Sequence, residues 1–278
     1  MGVVARAVRA VAASVFAVLF AGTAVLVGVG GAGVAYAAGA YTALGDSYSS
    51  GVGTRQYYPD SGDCYRSPKA YPVLVASATG AQLTFASCSG ARVADVRSKQ
   101  LGSLNASTSM VTVQVGGNDA GFANVITSCA RPWPWTCWGD IDEANRIIRD
   151  VLPGRLDALY TDIRNRAPNA KVVVVGYPRL FNGKECNALA RISPEEQQRL
   201  NQTADLLAST ISARASAHGF TFVDVRSAWV GHAVCDRVEW VNGLSNPIME
   251  SYHPNVAGHR DGYAPAVRAR FSLVSAAA

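Results

Sequence analysis

The chain has 278 residues, 49% of them hydrophobic and 16% charged, with a formal net charge of +5 and six cysteines. That length and apolar content suffice for a domain with a sizeable buried core. The charges are scattered without a basic block, which argues against nucleic acid as a partner.

Arg6 and Arg9 precede an apolar stretch from Val11 to about Val34 that ends in Ala35-Tyr36-Ala37, a small-x-small cleavage pattern. Residues 1–37 read as a secretory signal peptide cut after Ala37. An uncleaved anchor competes, because the stretch reaches the roughly 20 apolar residues that can span a bilayer. Gly28, Gly30, Gly31 and Gly33, followed by the cleavage pattern, favour removal. The leader lacks paired arginines, which points to the Sec route over the twin-arginine route. Loss of Arg6 and Arg9 leaves residues 38–278 with a net charge of +3. This remainder is expected to be one secreted, monomeric domain.

Its first element is a predicted strand, Tyr41–Leu44, followed at once by Gly45-Asp46-Ser47. A serine on a tight turn at a strand end can be held exposed as a nucleophile, with Gly45 supplying backbone angles that most residues resist. An irregular stretch from Tyr48 to Ser67 precedes the second predicted strand, Leu83–Ala86, and Ser89-Gly90-Ala91 lies just beyond it. The third, Met110–Val115, runs into Gly116-Gly117-Asn118-Asp119. Next comes Cys129-Ala130-Arg131-Pro132-Trp133-Pro134-Trp135-Thr136-Cys137-Trp138. A helix is predicted from Asp140, with Glu143 reaching back in a capping box. Pro153-Gly154 interrupts it before it resumes to about Arg166.

The run Val172-Val173-Val174-Val175 within the fourth strand, Lys171–Val175, has no polar alternation, as expected of a central strand buried on both faces. Ser193-Pro194-Glu195-Glu196 carries a serine cap, proline at the first helical position and glutamate at the third, and predicts a helix to about Ala217. A weaker strand follows at Phe220–Val223, then irregular chain from about Ala228 to Tyr252, and a last helix after Pro254. Strands alternating with helices predict a parallel sheet covered on both faces, a three-layer α/β/α sandwich.

Six cysteines in an exported chain read as three disulfides. Of fifteen pairings, the sequential one is preferred: Cys64 with Cys88, Cys129 with Cys137, and Cys186 with Cys235. The alternative of a metal site lacks the expected Cys-x-x-Cys spacing.

Ligands of a parallel sheet bind beyond the carboxyl ends of its strands, where Ser47, Gly90 and Asn118 all fall. Ser47 supplies a hydroxyl that attacks an acyl carbon once a base takes its proton. The oxyanion so formed needs donors already in place, and the Ser47 and Gly90 N–H groups and the Asn118 amide are candidates. Among the histidines, His253 has the best setting as base, since Pro254 holds it extended. His218 reads as a helix-end residue, and His232 and His259 have no comparable context. For the group that orients His253, Glu250 and the Ser251 carbonyl compete, and both stay open.

These blocks, Gly45-Asp46-Ser47, Gly90, Gly116-Gly117-Asn118-Asp119 and His253-Pro254, occur in the order and approximate spacing of the SGNH (GDSL) hydrolase family, which the chain resembles over nearly all of residues 38–278. The resemblance implies a flavodoxin-like sandwich and a cofactor-free ester hydrolase with Ser47 and His253 as catalytic residues. It departs from the family in carrying Glu250 where aspartate is usual. The six cysteines and the leader look like the actinobacterial branch of extracellular lipases, esterases and phospholipases, some of which orient the histidine through a backbone carbonyl. The absence of Gly-x-Ser-x-Gly argues against an α/β-hydrolase elbow.

Trp133 and Trp135, on a loop closed by a disulfide, and Tyr48 with Tyr57 and Tyr58 are candidate lips for an acyl chain or a lipid interface. The expected activity is hydrolysis of fatty-acyl or lipid esters through an acyl-serine. Acetyl-ester cleavage on carbohydrate is the alternative, and a binding module without turnover is the reading from a different class.

Overall fold

A computed structural model of the chain describes residue 2, residues 39–132 and residues 134–272. Apart from residue 2, the expected leader lies outside the described residues, as does Trp133.

Five short strands pair side by side: β1 (Ala40–Gly45), β2 (Gln82–Phe85), β3 (Thr108–Gln114), β4 (Lys171–Val175) and β5 (Thr221–Val223), in the order β2-β1-β3-β4-β5. Every pairing is parallel. The predicted strands match these within one or two residues. β1, β3 and β4 are interior, and their β-branched and aromatic residues are buried from both sides, with Val172–Val175 at 0–3% exposure. That explains why β4 shows no polar alternation.

The helices are α1 (Ser47–Ser50), α2 (Tyr71–Thr79), the single turn α3 (Val93–Asp95), α4 (Phe122–Cys129), α5 (Trp138–Asp150), α6 (Leu152–Arg166), α7 (Pro194–Ala217) and α8 (Ala264–Ser272). α2 packs on α8, while α5, α6 and α7 pack on one another, so helices cover the two faces of the sheet as separate layers. The fold is the expected α/β/α sandwich. No helix among the described residues is long and apolar enough to cross a membrane.

The Ser193 capping box is present: its Oγ accepts from Glu196 N at 3.3 Å and Glu196 Oε2 accepts from Ser193 N at 3.0 Å. The box expected at Asp140 is not. α5 starts two residues earlier, at Trp138, with Cys137 as an N-cap that makes no side-chain bond. Asp140 accepts instead from Ser128 Oγ of α4, and Glu143 pairs with Arg146 one turn on. Disulfide closure of Cys129 to Cys137 brings the end of α4 against the start of α5, so tertiary packing overrides the local capping preference. The three disulfides join Cys64 to Cys88, Cys129 to Cys137 and Cys186 to Cys235.

Candidate active site

Gly45 ends β1 with φ +143°, and a Cβ there would overlap the Gln114 carbonyl oxygen of β3, so only glycine fits. Its backbone is paired by a side chain: Gly45 N donates to Gln100 Oε1 at 2.8 Å and Gln100 Nε2 donates to Gly45 O at 2.9 Å. Asp46 then acts as N-cap of α1, its Oδ1 accepting from Tyr48 N at 3.0 Å. Ser47 is the first residue of this helix, so its N–H has no partner within it. The serine is 7% exposed.

His253 reaches Ser47 from the opposite end of the chain. Its Nε2 lies 2.9 Å from Ser47 Oγ, and its Nδ1 lies 2.9 Å from the Ser251 carbonyl oxygen. A carbonyl only accepts, so Nδ1 carries the proton and Nε2 is left as the acceptor facing the hydroxyl. The ring packs against Tyr48 and Phe122, with centroids 5.3 and 6.4 Å away. Burial in this apolar setting pulls the His253 pKa down to about 4, opposed in part by the Ser251 bond. The imidazole is therefore neutral near pH 7, the form a general base requires.

Glu250, one of the two partners left open for His253, does not meet this ring; the Ser251 carbonyl does. At 1% exposure, it accepts from the Tyr57 hydroxyl at 2.5 Å and lies 3.3 Å from Arg55 Nε. The single turn Ile248–Glu250 points the side chain at the loop following Ser47, while the chain reverses through Ser251 and brings that residue's carbonyl under Nδ1.

The expected oxyanion donors belong to two linked loops. Gly90 lies on the turn closed by Ala91 N to Cys88 O, has φ +75° and is exposed. Its N–H has no hydrogen-bond partner among the described residues. Asn118 Nδ2 donates to Ala91 O at 3.1 Å, which ties the loop after β3 to the residue following Gly90. An amide carries two N–H bonds, so one remains for another acceptor. Asp119 holds both loops: its carboxylate accepts from Val93 N at 2.9 Å and pairs with Arg155 at 2.9 Å.

Beside Ser47 opens a narrow, largely apolar groove with a cavity volume of about 80 Å³. Its walls include Phe122 and Ile126 of α4, Ile148 of α5, Leu180 and Phe181 after β4, and Leu207 of α7. Local motifs do not reveal these residues, because they come from four separate segments and read in sequence as ordinary core. Tyr48 is a wall of this groove rather than an exposed lip. It is 4% exposed and its hydroxyl donates to Tyr252 O at 2.6 Å. Trp135 is 63% exposed and does not line the groove. Tyr57 is held at Glu250, while Tyr58 is exposed and lies along a different, shallow depression.

The other histidines are occupied elsewhere. His218 Nε2 lies 3.1 Å from Asp157, His232 stacks on Trp240 at 3.7 Å, and His259 is fully buried against Tyr71 and Tyr263.

The profile of the GDSL-like Lipase/Acylhydrolase family matches residues 43–260. Lipase 1 of Streptomyces coelicolor is 46% identical over 232 residues, covering 82% of this chain and 85% of its own. The crystal structure of phospholipase A1 from Streptomyces albidoflavus superposes with a TM-score of 0.81 at 45% identity, covering 84% of this chain and all of that one. The extracellular lipase of Streptomyces rimosus superposes at 0.80 and 41% identity, with 84% and 100% covered. The chain thus belongs to the GDSL-like lipase/acylhydrolase family and is a carboxylic ester hydrolase.

Proposed function

We propose that the chain is a secreted hydrolase of fatty-acyl and lipid esters that works through an acyl-enzyme on Ser47. The observation that carries this reading is the narrow apolar groove opening on the Ser47–His253 pair. Relatives called lipase and phospholipase A1 support it at 41–46% identity. In this reading residues 1–37 are removed on export and residues 38–278 are the catalytic domain, acting as a monomer without a cofactor.

His253 Nε2 takes the Ser47 proton as Oγ attacks the acyl carbon, and the imidazolium gains stabilisation from the Ser251 carbonyl. The oxyanion is met by the Ser47 and Gly90 N–H groups and by Asn118 Nδ2. Collapse expels the alcohol, which receives the proton from Nε2. Water, activated by the same nitrogen, then releases the acid and restores Ser47. The exposed Trp135 serves as a contact with the lipid interface.

Rates on p-nitrophenyl esters of increasing chain length test the substrate class. The reading expects kcat/KM to rise from acetyl to medium-chain acyl groups as methylenes enter the groove, each buried CH₂ contributing up to about 0.8 kcal/mol. Activity confined to acetyl esters contradicts it and favours the carbohydrate-esterase alternative. A serine-directed phosphonate tests the mechanism. The expected result is one adduct on Ser47 in folded protein. No adduct favours the binding module.

A further inference from the structure

Tyr177 is buried just beyond the end of β4, on a segment that no sequence motif marks. Its hydroxyl donates to Asp46 Oδ2 at 2.5 Å and lies 3.4 Å from Gly117 N, which donates to it. Its ring packs edge-on against Tyr48 with centroids 5.1 Å apart, and a Cβ on Gly117 would come within 3.5 Å of the ring. One side chain therefore touches the residue before Ser47, the residue after it and the residue before Asn118. The Asp46 carboxylate is shared between the Tyr48 N–H and the Tyr177 O–H, so it joins the cap of α1 to the same contact.

We propose, on the reading that Ser47 and Asn118 are nucleophile and oxyanion donor, that Tyr177 is a positioning residue that holds the Ser47 turn and the Asn118 loop in one register, and that it does so while Asp46 is ionised. An ionised Asp46 offers only acceptors, which suits both donors. Protonation places a donor on the carboxyl itself. The Tyr177 contact then survives only if the hydroxyl turns its own proton away while the Gly117 N–H still points at the same oxygen. The register between the two loops loosens as a result.

Burial supports such a titration, raising the Asp46 pKa to about 7 against the lowering bonds from Tyr177 and Tyr48. The groups facing Asp46 are Tyr177, Tyr48 of α1 and Asp119 of the loop after β3, with Tyr71 of α2 and Tyr263 acting at longer range. Burial pushes all four tyrosines up, so they stay protonated across the working range. Asp119 is paired with Arg155.

The test uses the mature enzyme on p-nitrophenyl butyrate, after phosphonate titration has counted active Ser47. If wild-type protein takes no label, the underlying catalytic reading fails, and that outcome is distinct from those below. With labelled wild type, Tyr177→Phe keeps the ring that lines the groove and removes only the hydroxyl. The proposal expects kcat at pH 7.5 to fall roughly tenfold with KM within about twofold, the pattern of a lost transition-state arrangement. It also expects the loss to shrink at acid pH, where protonation of Asp46 has already disturbed the contact in wild type, so that the limb set by Asp46 flattens in the variant. Asp46→Asn should abolish that limb, leaving only the one set by His253, and adding Tyr177→Phe to it should change kcat by less than about twofold. An unchanged kcat in Tyr177→Phe, or a loss equal at every pH with the limb unchanged, overturns the proposal. If Tyr177→Phe does not fold by thermal melt, Asp46→Asn alone decides. Persistence of the wild-type limb in that variant overturns the proposal, and its disappearance supports it.

Discussion

Ser47 and Asn118 stand just past β1 and β3, strands that pair along six registered positions up to Gly45 and Gln114. His253 stands at the end of an irregular stretch whose regular structure is the single turn Ile248–Glu250 and the isolated bridges of Val234 to Phe181 and of Val241 to Pro254. What fixes the first region is a backbone ladder. The second has no ladder: a few backbone bonds, Asn242 N to His253 O at 2.9 Å and Tyr252 N to Asn242 O at 3.0 Å among them, are reinforced by side chains bonding to backbone. Asn242 Nδ2 donates to Gly53 O at 2.9 Å and to Glu250 O at 3.3 Å, and the Tyr48 hydroxyl donates to Tyr252 O. Tyr57 links Gly53 to Glu250, its hydroxyl accepting from Gly53 N at 3.2 Å. A Cβ on Gly53 would meet His253 Cβ at 3.0 Å, which measures how closely the two loops approach. The same chemistry thus depends on two kinds of scaffold, and point substitutions should separate them.

The largest effect belongs to the proposed nucleophile. Ser47→Ala should lower kcat on a short-chain ester by about 10⁴–10⁶-fold while leaving the thermal melt unchanged. Asn118→Ala, on the ladder side, should lower kcat by about 10²–10³-fold if it holds the proposed place of an oxyanion donor. On the loop side, Asn242→Ala removes no reacting group. It should still cost about 1–3 kcal/mol of stability, read from a urea midpoint, because buried acceptors lose their donor. A fall in kcat should accompany it as His253 loses its support. If Asn242→Ala leaves both quantities unchanged, the two-scaffold comparison fails.

Acid should strike the loop side first. Burial lowers the His253 pKa to about 4 and that of His259 to about 3, so between those values and the ordinary value near 6.5 the unfolded chain binds more protons. The stability from keeping both rings neutral is complete above about pH 6.5 and is lost as pH falls through that window. Asp46 acts oppositely, since its raised pKa makes the folded state bind the extra proton between the ordinary carboxylate range and about 7. With two histidines against one carboxyl, the urea midpoint should drop between pH 6.5 and 4.5. His259→Gln should make that drop shallower. A midpoint that rises on acidification contradicts the account.

The sequence was most legible where local chemistry and fold agree. The unbroken valines of β4 and the serine cap of α7 depend on nearest neighbours and on burial of a whole strand, and both stand where expected. The strand-end blocks were readable because topology gathers them at one edge. Asp140 misled because a disulfide eight residues long starts α5 early. The choice between Glu250 and the Ser251 carbonyl stayed open for a related reason: three residues of spacing suggest proximity to His253, but the direction of a carboxylate in irregular chain depends on partners 193 positions away. Tyr177, Gln100 and the groove walls left no signature, since a buried tyrosine, glutamine or leucine looks the same whether or not it borders a site.

The smallest expected effect is also the most direct test. In Glu250→Gln the amide oxygen still accepts from Tyr57, and His253 keeps its bond to the Ser251 carbonyl. The account predicts a kcat within about threefold of wild type, far from the large losses that follow removal of a triad member. A fall in Glu250→Gln comparable to that of His253→Ala on the same ester would contradict it. The carboxylate, not the Ser251 carbonyl, would then be the partner of the histidine.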